Sequence, residues 1–487
     1  MTLSYIPSDT NDEGVFKATA SGTLPSGQAV IVNADGTVSV VEGSDLSVGT
    51  PVDVGGTNRN IDLISSTFDS NSNKVIVAYR DRDGSYYGTA VVGTVSGSTI
   101  SFGTPVVFLS VTIQRPAITF DSNSNKVVIA VYGSSNYIAT YVGTVSGTGI
   151  SFGTKVDLPN GPNGTSFISA TFDSNSNKVV ISWQDQTNSN YGTAIVGTVS
   201  GTSISYGSFS VFESASTADI TSTFDSNSNK VVISYRDLGA SPIAKVTAVV
   251  GTVSGTSVSF GTPVACSLNT TSAVSFPCIA FDSINNKVVV SFLDGENSYS
   301  GTSRVGTVSG TSISFGAVAI YHQGSAGGNA TGFDSTTGQI VTLSQDAKLA
   351  FFGTVSGTTI SYDSSISFSA GIAVNASNMA VVFDSNSNKI VIPYRLASGG
   401  VGKTTVISPA STTLTAENYI GVSTGGTYAS GSNATVKIIG NTSNEQTGLT
   451  AGQSYFVQVD GTIGTTAANP SVFAGTAISA TKLLVKT

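Results

Sequence analysis

The phrase Phe-Asp-Ser returns seven times along this chain, with its phenylalanine at positions 68, 120, 172, 224, 281, 333 and 383. Repetition at a period of about fifty residues signals a solenoid or a ring, because each unit leaves an apolar face that only its neighbours can cover. A typical unit opens with an alternating segment that ends at Thr171-Phe172-Asp173, turns at Ser174-Asn175-Ser176-Asn177 and continues through Lys178 to Trp183. Asn and Asp suit that turn, since they tolerate left-handed backbone and bond to their own main chain. Tyr191 to Val199 then reads as a third strand, Ser200-Gly201 as a hairpin turn and Thr202 to Phe212 as a fourth strand. Four antiparallel strands repeated in tandem make the blades of a propeller, so the expected fold is all-β with seven four-stranded blades.

The seventh copy runs from Val381 through Lys389 to Tyr394 and on to Val406, then departs at Ser408-Pro409 with no fourth strand. The missing strand stands at the other end of the chain: Ser47 to Val54 (SVGTPVDV) matches Ser101 to Phe108 (SFGTPVVF). A ring leaves no open sheet edge, so this N-terminal strand is expected to complete blade seven and close the circle. Three regions follow: residues 1–44 as an N-terminal β segment, 45–408 as the propeller and 409–487 as a C-terminal β domain. Closure brings both ends of the chain to one blade. A single small β domain built from both termini is the arrangement expected, with two separate appendages as the alternative.

Charged residues make up only 10% of the chain, and Gly, Ser, Thr and Asn fill the polar positions, which suits short strands and tight turns. A net charge of −8 leaves no basic stripe for phosphates, so nucleic acid is not an expected partner. No segment has the length of a membrane span, and the N-terminal sequence lacks a basic start and an apolar run; the expectation is synthesis in a cytosol without a signal peptide. Cys266 and Cys278 do not make a disulfide framework, and burial as small hydrophobes is the favoured reading over a bond across one loop. His322 is the one histidine, so no catalytic triad or metal cluster is expected, and no cofactor.

Two recurrent motifs have structural readings. DSNSNK alternates Asp and Asn at calcium-ligand spacing, yet it lacks the glycine and the bidentate glutamate of that loop, so a uniform hairpin turn explains it better. GTVSG precedes a strand and not a helix, which removes the phosphate-cradle reading. The residue just after the second strand is more informative, since it reads Arg80, Tyr132, Gln184, Arg236, Leu293, Gln345 and Arg395 around the ring. Arg80, Tyr132, Gln184, Arg236 and Arg395, with Arg115 from a neighbouring loop, are the candidate ligand-binding residues, because planar donors can receive a sugar or an anion. The following position, mostly Asp, reads as a turn cap. Loops after the second and fourth strands vary, as in Gln114-Arg115-Pro116, Pro159 to Gly164 and Tyr321 to Gly324, and propeller topology puts both sets on one face. Trp183 replaces Tyr79, Tyr235 and Tyr394 in register and is read as core.

The units FDSNSNKVVISYRD and YGTAVVGTVSGTSISFGTPVVF resemble repeat proteins of cyanophages and other marine phages. So do the flanks, ATASGTLPSGQAVIVNADGTVSVV at the start, and LTAGQSYFVQVDGTI with AGTAISATKLLVK at the end. The resemblance implies a non-enzymatic virion structural protein on the particle surface, a tail fibre or tip that contacts a host glycan or receptor. It implies other virion proteins of tail or capsid as partners, and the terminal β domain as the place for a homo-oligomer to form. Two alternatives stand beside it: a capsid decoration protein of the head-fibre kind, and a bacterial surface lectin or adhesin. Propellers also host glycosidases and sialidases, but the sialidase boxes are absent and no carboxylate pair stands out.

Overall fold

The computed structural model describes residues 14–133, 137–159, 167–415, 417–467 and 470–486. Among these, strands dominate and the one helical element is a short 3-10 turn at Gly295–Asn297. The chain divides into two compact units, residues 47–408 and a second unit that joins the N-terminal segment up to Leu46 with Pro409 onward.

The larger unit is the propeller. In blade one, Ile61–Asp69, Lys74–Asp81 and Tyr87–Ser96 pair in sequence, and the fourth strand pairs with the third in two pieces, Thr99–Phe102 and Val106–Thr112. The same meander recurs through blade six. Apolar alternation drives the packing: facing residues of adjacent blades form continuous clusters, such as Val128 and Val142 of blade two against Val179, Ile181 and Trp183 of blade three. Each fully buried Val or Ile side chain contributes about 1.5–3 kcal/mol of hydrophobic stabilisation, which is why the strands read as near-continuous apolar runs.

Blade seven closes as expected. Its third strand, Gly402–Ser408, pairs antiparallel with Ser47–Val48 and Val52–Asp53, with Ile407 opposite Val48 and Thr404 opposite Val52. Gly49 and Val54 donate backbone hydrogen bonds to Val406 and Gly402 at 2.8 and 3.0 Å, and an ion pair between Lys403 and Asp53 crosses the same seam.

The turns behave as their composition demands. In all seven DSNSN-type turns the Asp carboxylate accepts backbone N–H bonds from the residues two and three positions on, as Asp173 does from Asn175 and Ser176 at 2.9 Å each. The last turn residue is left-handed throughout, Asn in six blades and Gly338 in the sixth. Those carboxylates are buried and engaged by their own loop, so the turns explain the motif without a cation.

The glycine after the fourth strand's first piece has a different task. A Cβ on Gly49, Gly103, Gly153, Gly207, Gly261 or Gly316 would lie within 2.0 Å of a backbone oxygen on the third-to-fourth hairpin of the next blade. Only a bare Cα permits this approach. Blade six has Asp363 there instead, and blade seven, whose fourth strand comes from the N-terminus, presents no such hairpin to it.

The smaller unit interleaves both ends of the chain. One sheet orders Val15–Thr19, Asn433–Ile438, Tyr419–Thr424, Ala29–Val32 and Val38–Val40, so two C-terminal strands lie between N-terminal ones. A second sheet is made of C-terminal strands alone, and a common core with Ile31, Tyr419, Val422, Val457, Ala474 and Leu483 joins the two. The termini therefore form one β domain and not two appendages.

Candidate functional site

Antiparallel order sends the DSNSN and VSG hairpins to one end of every blade and the variable loops to the other. On the variable side the second-to-third loops and the blade crossings are stitched together by backbone bonds. Ile113 N–H donates to Tyr86 O at 3.2 Å, Gln114 to Tyr132 at 2.8 Å, Thr217 to Asn190 at 2.9 Å and Ala326 to Tyr299 at 3.1 Å. Side chains add to this. Glu296 accepts from the backbone N–H and hydroxyl groups of Thr270 and Thr271, and those backbone donors hold its pKa at about 2. Asp185 and Asp237, which the sequence reading puts after the second strand, are its last residues in their blades, and they cap the turns that follow, accepting from Thr187 N–H at 3.0 Å and Gly239 N–H at 2.9 Å.

Several predicted site residues are engaged within the ring itself. The Arg80 guanidinium clasps both carboxylate oxygens of Asp62 at 2.7 Å and donates to Ile113 O of the next blade at 3.2 Å. Gln184 donates to Thr217 O of blade four, and Gln345 at the equivalent place donates to Val374 O of blade seven at 2.9 Å. Arg236 pairs with Asp219 at 3.1 Å, and Tyr132 packs against the core between blades two and three. In blades one, three and six this position joins neighbouring blades, and none of these residues lines the axial channel. The Asn160 to Gly164 part of one variable loop lies outside the described residues.

Arg115 and Asp219 both line the ring axis. The innermost strands of all seven blades enclose a channel of about 300 Å³, with Arg115, Ser169, Asp219, Ser222, Cys278 and Asn329 in its lining. Cys278 is partly exposed there and not fully buried as the sequence reading favoured; its thiol lies 3.2 Å from Asn329 Oδ1, and burial pushes its pKa up to about 12. Cys266 is buried, and both cysteines are free thiols. Trp183 is fully buried, as its register required.

The sequence reading passed over a set of aromatics. Tyr86, Tyr137 and Tyr299 stand 40%, 43% and 50% exposed, all in second-to-third loops of the variable face. Leu238, Leu268 and Ile372 are exposed on the same side. Ser85-Tyr86 and Ser298-Tyr299 are both consecutive left-handed residues, with φ of 59° and 65°, and 53° and 58°. Blade three builds the same turn with Ser189-Asn190 at 54° and 63°, where Asn suits the geometry. A tyrosine in left-handed backbone costs about 1 kcal/mol or more, and residues held in such strain cluster at binding sites. The signal in the sequence was the extra tyrosine before the third strand, as in Tyr86-Tyr87 and Ser298-Tyr299.

The molecule is thus a seven-bladed β-propeller with one uniform face and one varied face. Solved structures of similar fold include the lectin BP39L from Burkholderia pseudomallei, at 13% identity and a TM-score of 0.54, covering 73% of this chain and 98% of the lectin. Another is the periplasmic gluconolactonase PpgL from Pseudomonas aeruginosa, at 11% identity and a TM-score of 0.47, covering 72% and 96%. No protein-family model matches the sequence, and no curated protein matches it. Among the described residues no helix is long and apolar enough to cross a membrane, and no group of three or more His, Cys, Asp or Glu residues could hold a metal ion.

Proposed function

We propose that this propeller is a non-enzymatic carbohydrate-binding protein that reads a glycan with the variable face of its ring. The observation that carries the reading is the placement of Tyr86 and Tyr299, exposed aromatics on left-handed backbone that blade three fills with Asn190. A tyrosine presents an apolar ring face to a sugar's C–H groups and a hydroxyl to its polar edge. Six exposed large apolar side chains stand in the loops of this face, and the backbone bonds that stitch those loops keep the entropic cost of binding low. The fold likeness to a lectin agrees with this reading.

The resemblance of repeats and flanks to marine phage proteins supports display on a virion, with the terminal β domain as the attachment to other particle proteins and the ring as the part that meets a host glycan. A glycan array probed with the full chain tests the reading. Binding that falls at least tenfold in Tyr86→Ala and Tyr299→Ala is expected; binding to no glycan, or binding unchanged by either substitution, would sink it. Immunogold labelling of intact particles tests the virion assignment separately.

A further inference from the structure

The arginines of the ring concentrate on one face, whereas its lysines stand on both, Lys245, Lys348 and Lys403 being at the variable end. Six of the lysines, Lys74, Lys126, Lys178, Lys230, Lys287 and Lys389, start the second strands at the uniform end. Of the seven arginines in the sequence, all but Arg304 belong to the variable end. Arg304 is buried in the third strand of blade five, where backbone carbonyls of Cys266, Phe315 and Gly316 receive its guanidinium. Charge alone does not explain this concentration of arginine, since lysine would serve solubility as well. Arginine differs in its planar fork, which matches a carboxylate with two parallel hydrogen bonds.

Four of these arginines gather where the ring closes. Asp62 of blade one is gripped by Arg80 at 2.7 Å and by Arg82 at 3.0 Å. Arg395, from blade seven, is near enough to feel the charges of Arg82, Asp62 and Arg80; burial first, and Arg82 next, hold its pKa below the ordinary value. Arg59 is taken by Asp81, while Asp83 accepts the Asn60 backbone N–H at 2.8 Å. The four guanidinium groups thus face three carboxylates, an excess of positive charge in a chain whose net charge is −8. The Tyr86 ring closes one side, with the Arg80 and Arg82 guanidinium carbons 5.5 and 5.4 Å from its centroid. Arg80 is anchored to Asp62 and to the Ile113 carbonyl, whereas the Arg82 side chain is 34% exposed.

We propose that the seam between blades seven and one binds the carboxylate of an acidic sugar, with Arg82 and Arg395 as its charged donors and the Tyr86 ring as the surface on which the sugar lies. The assignment rests on the glycan-binding reading and narrows it to uronic- or sialic-acid-bearing glycans. It also makes the site composite, since its parts come from the two blades that meet only when the ring is closed.

The test uses the full chain and an array of uronic- and sialic-acid oligosaccharides, each beside its methyl ester, with dextran sulfate as a control for charge alone. At least one acid is expected to bind tenfold or more tightly than its ester. Arg82→Gln and Arg395→Gln are each expected to lose that preference while still binding the ester, and Arg82→Lys to restore it only in part. Thermal melting of Arg82→Gln should match the parent, which separates recognition from folding. Equal binding of acid and ester, or equal binding of dextran sulfate, overturns the acidic-sugar assignment and leaves the glycan reading standing; binding confined to neutral glycans does the same. Binding to nothing on the array overturns both.

Discussion

The two faces of the ring are made from the same repeat, yet one is nearly invariant from blade to blade and the other differs in every blade. On the uniform face each turn is settled by local chemistry: a buried aspartate accepts from its own turn, and Asn or Gly supplies the left-handed residue. Contacts between blades are few there, as where the Thr336 hydroxyl donates to Asn388 Oδ1 of the next turn at 2.8 Å. On the variable face the loops hold one another, as Thr217 to Asn190 and Ala326 to Tyr299 show, and side chains such as Gln184 and Arg80 reach across to the next blade. Uniformity marks where the scaffold is self-sufficient. Variation marks where blades have been free to diverge once their neighbours held them.

The comparison breaks altogether if the ring cannot close. Removing residues 1–54 is expected to give a chain that aggregates or opens, seen as loss of the monomer peak in light scattering, because the edge of Gly402–Ser408 is then bare. Gly49→Val leaves the terminal domain whole but drives a side chain into Ser98 O of blade one, and a smaller fall in melting temperature should follow. If both proteins melt like the parent, closure does not hold the ring.

A cut on the uniform face should affect stability and spare recognition. Asp173→Ala removes a buried carboxylate that accepts two part-buried backbone N–H groups and is expected to lower unfolding free energy by about 1–3 kcal/mol in denaturant titrations, with glycan binding unchanged. The converse holds across the ring. Tyr299→Asn relieves left-handed strain, so it should leave stability equal or raise it by up to about 1 kcal/mol while weakening glycan binding. A destabilised Tyr299→Asn would show that the ring is held for packing and not for contact.

The smallest effect concerns pH. The carboxyl of Glu296 is held at about 2, against 4.5 for a free one, by donors from Thr270 and Thr271. A depressed carboxylate pKa means the link is intact above pH 4.5 and is lost only as pH falls through about 2. Exchange of the Thr270 and Thr271 amide protons should therefore stay slow down to pH 3. Rapid exchange already at pH 4.5 would show that this crossing is held some other way.

The ring was legible in the sequence because the same local signals occur seven times, and because SVGTPVDV carries the signature of a fourth strand with no blade of its own. The site was less so. Alignment put Arg80, Gln184 and Arg395 at one height of the ring, but one sequence does not show that Gln184 reaches Thr217 O or that Arg80 is clasped by Asp62. Those partners sit on bulged inner strands, where register shifts between Asp62 and Ser65 and between Ala218 and Thr221 move residues off the simple repeat. Tyr86 and Tyr299 escaped notice because they lie in the loops that alignment sets aside. The glycines of the SFG step were visible as constants, but their reason, a neighbour's carbonyl within 2.0 Å, exists only between blades.

The strand that completes blade seven also has a history in time. Lys403 follows its partner Asp53 by 350 residues, so at roughly 5–20 residues per second the first half of the closing pair waits some 20–70 s for the second. Blades one to six can assemble as they leave the ribosome. During that interval the strand around Val48 and Val52 is an open edge next to blades that are already folding, and its Gly and Pro residues and its short, broken pairing make it a poor template for premature partners. Completion of the ring then waits until all seven blades are made, ahead only of the C-terminal strands of the terminal domain, and a chain interrupted before Gly402 lacks the strand against which its own beginning should rest.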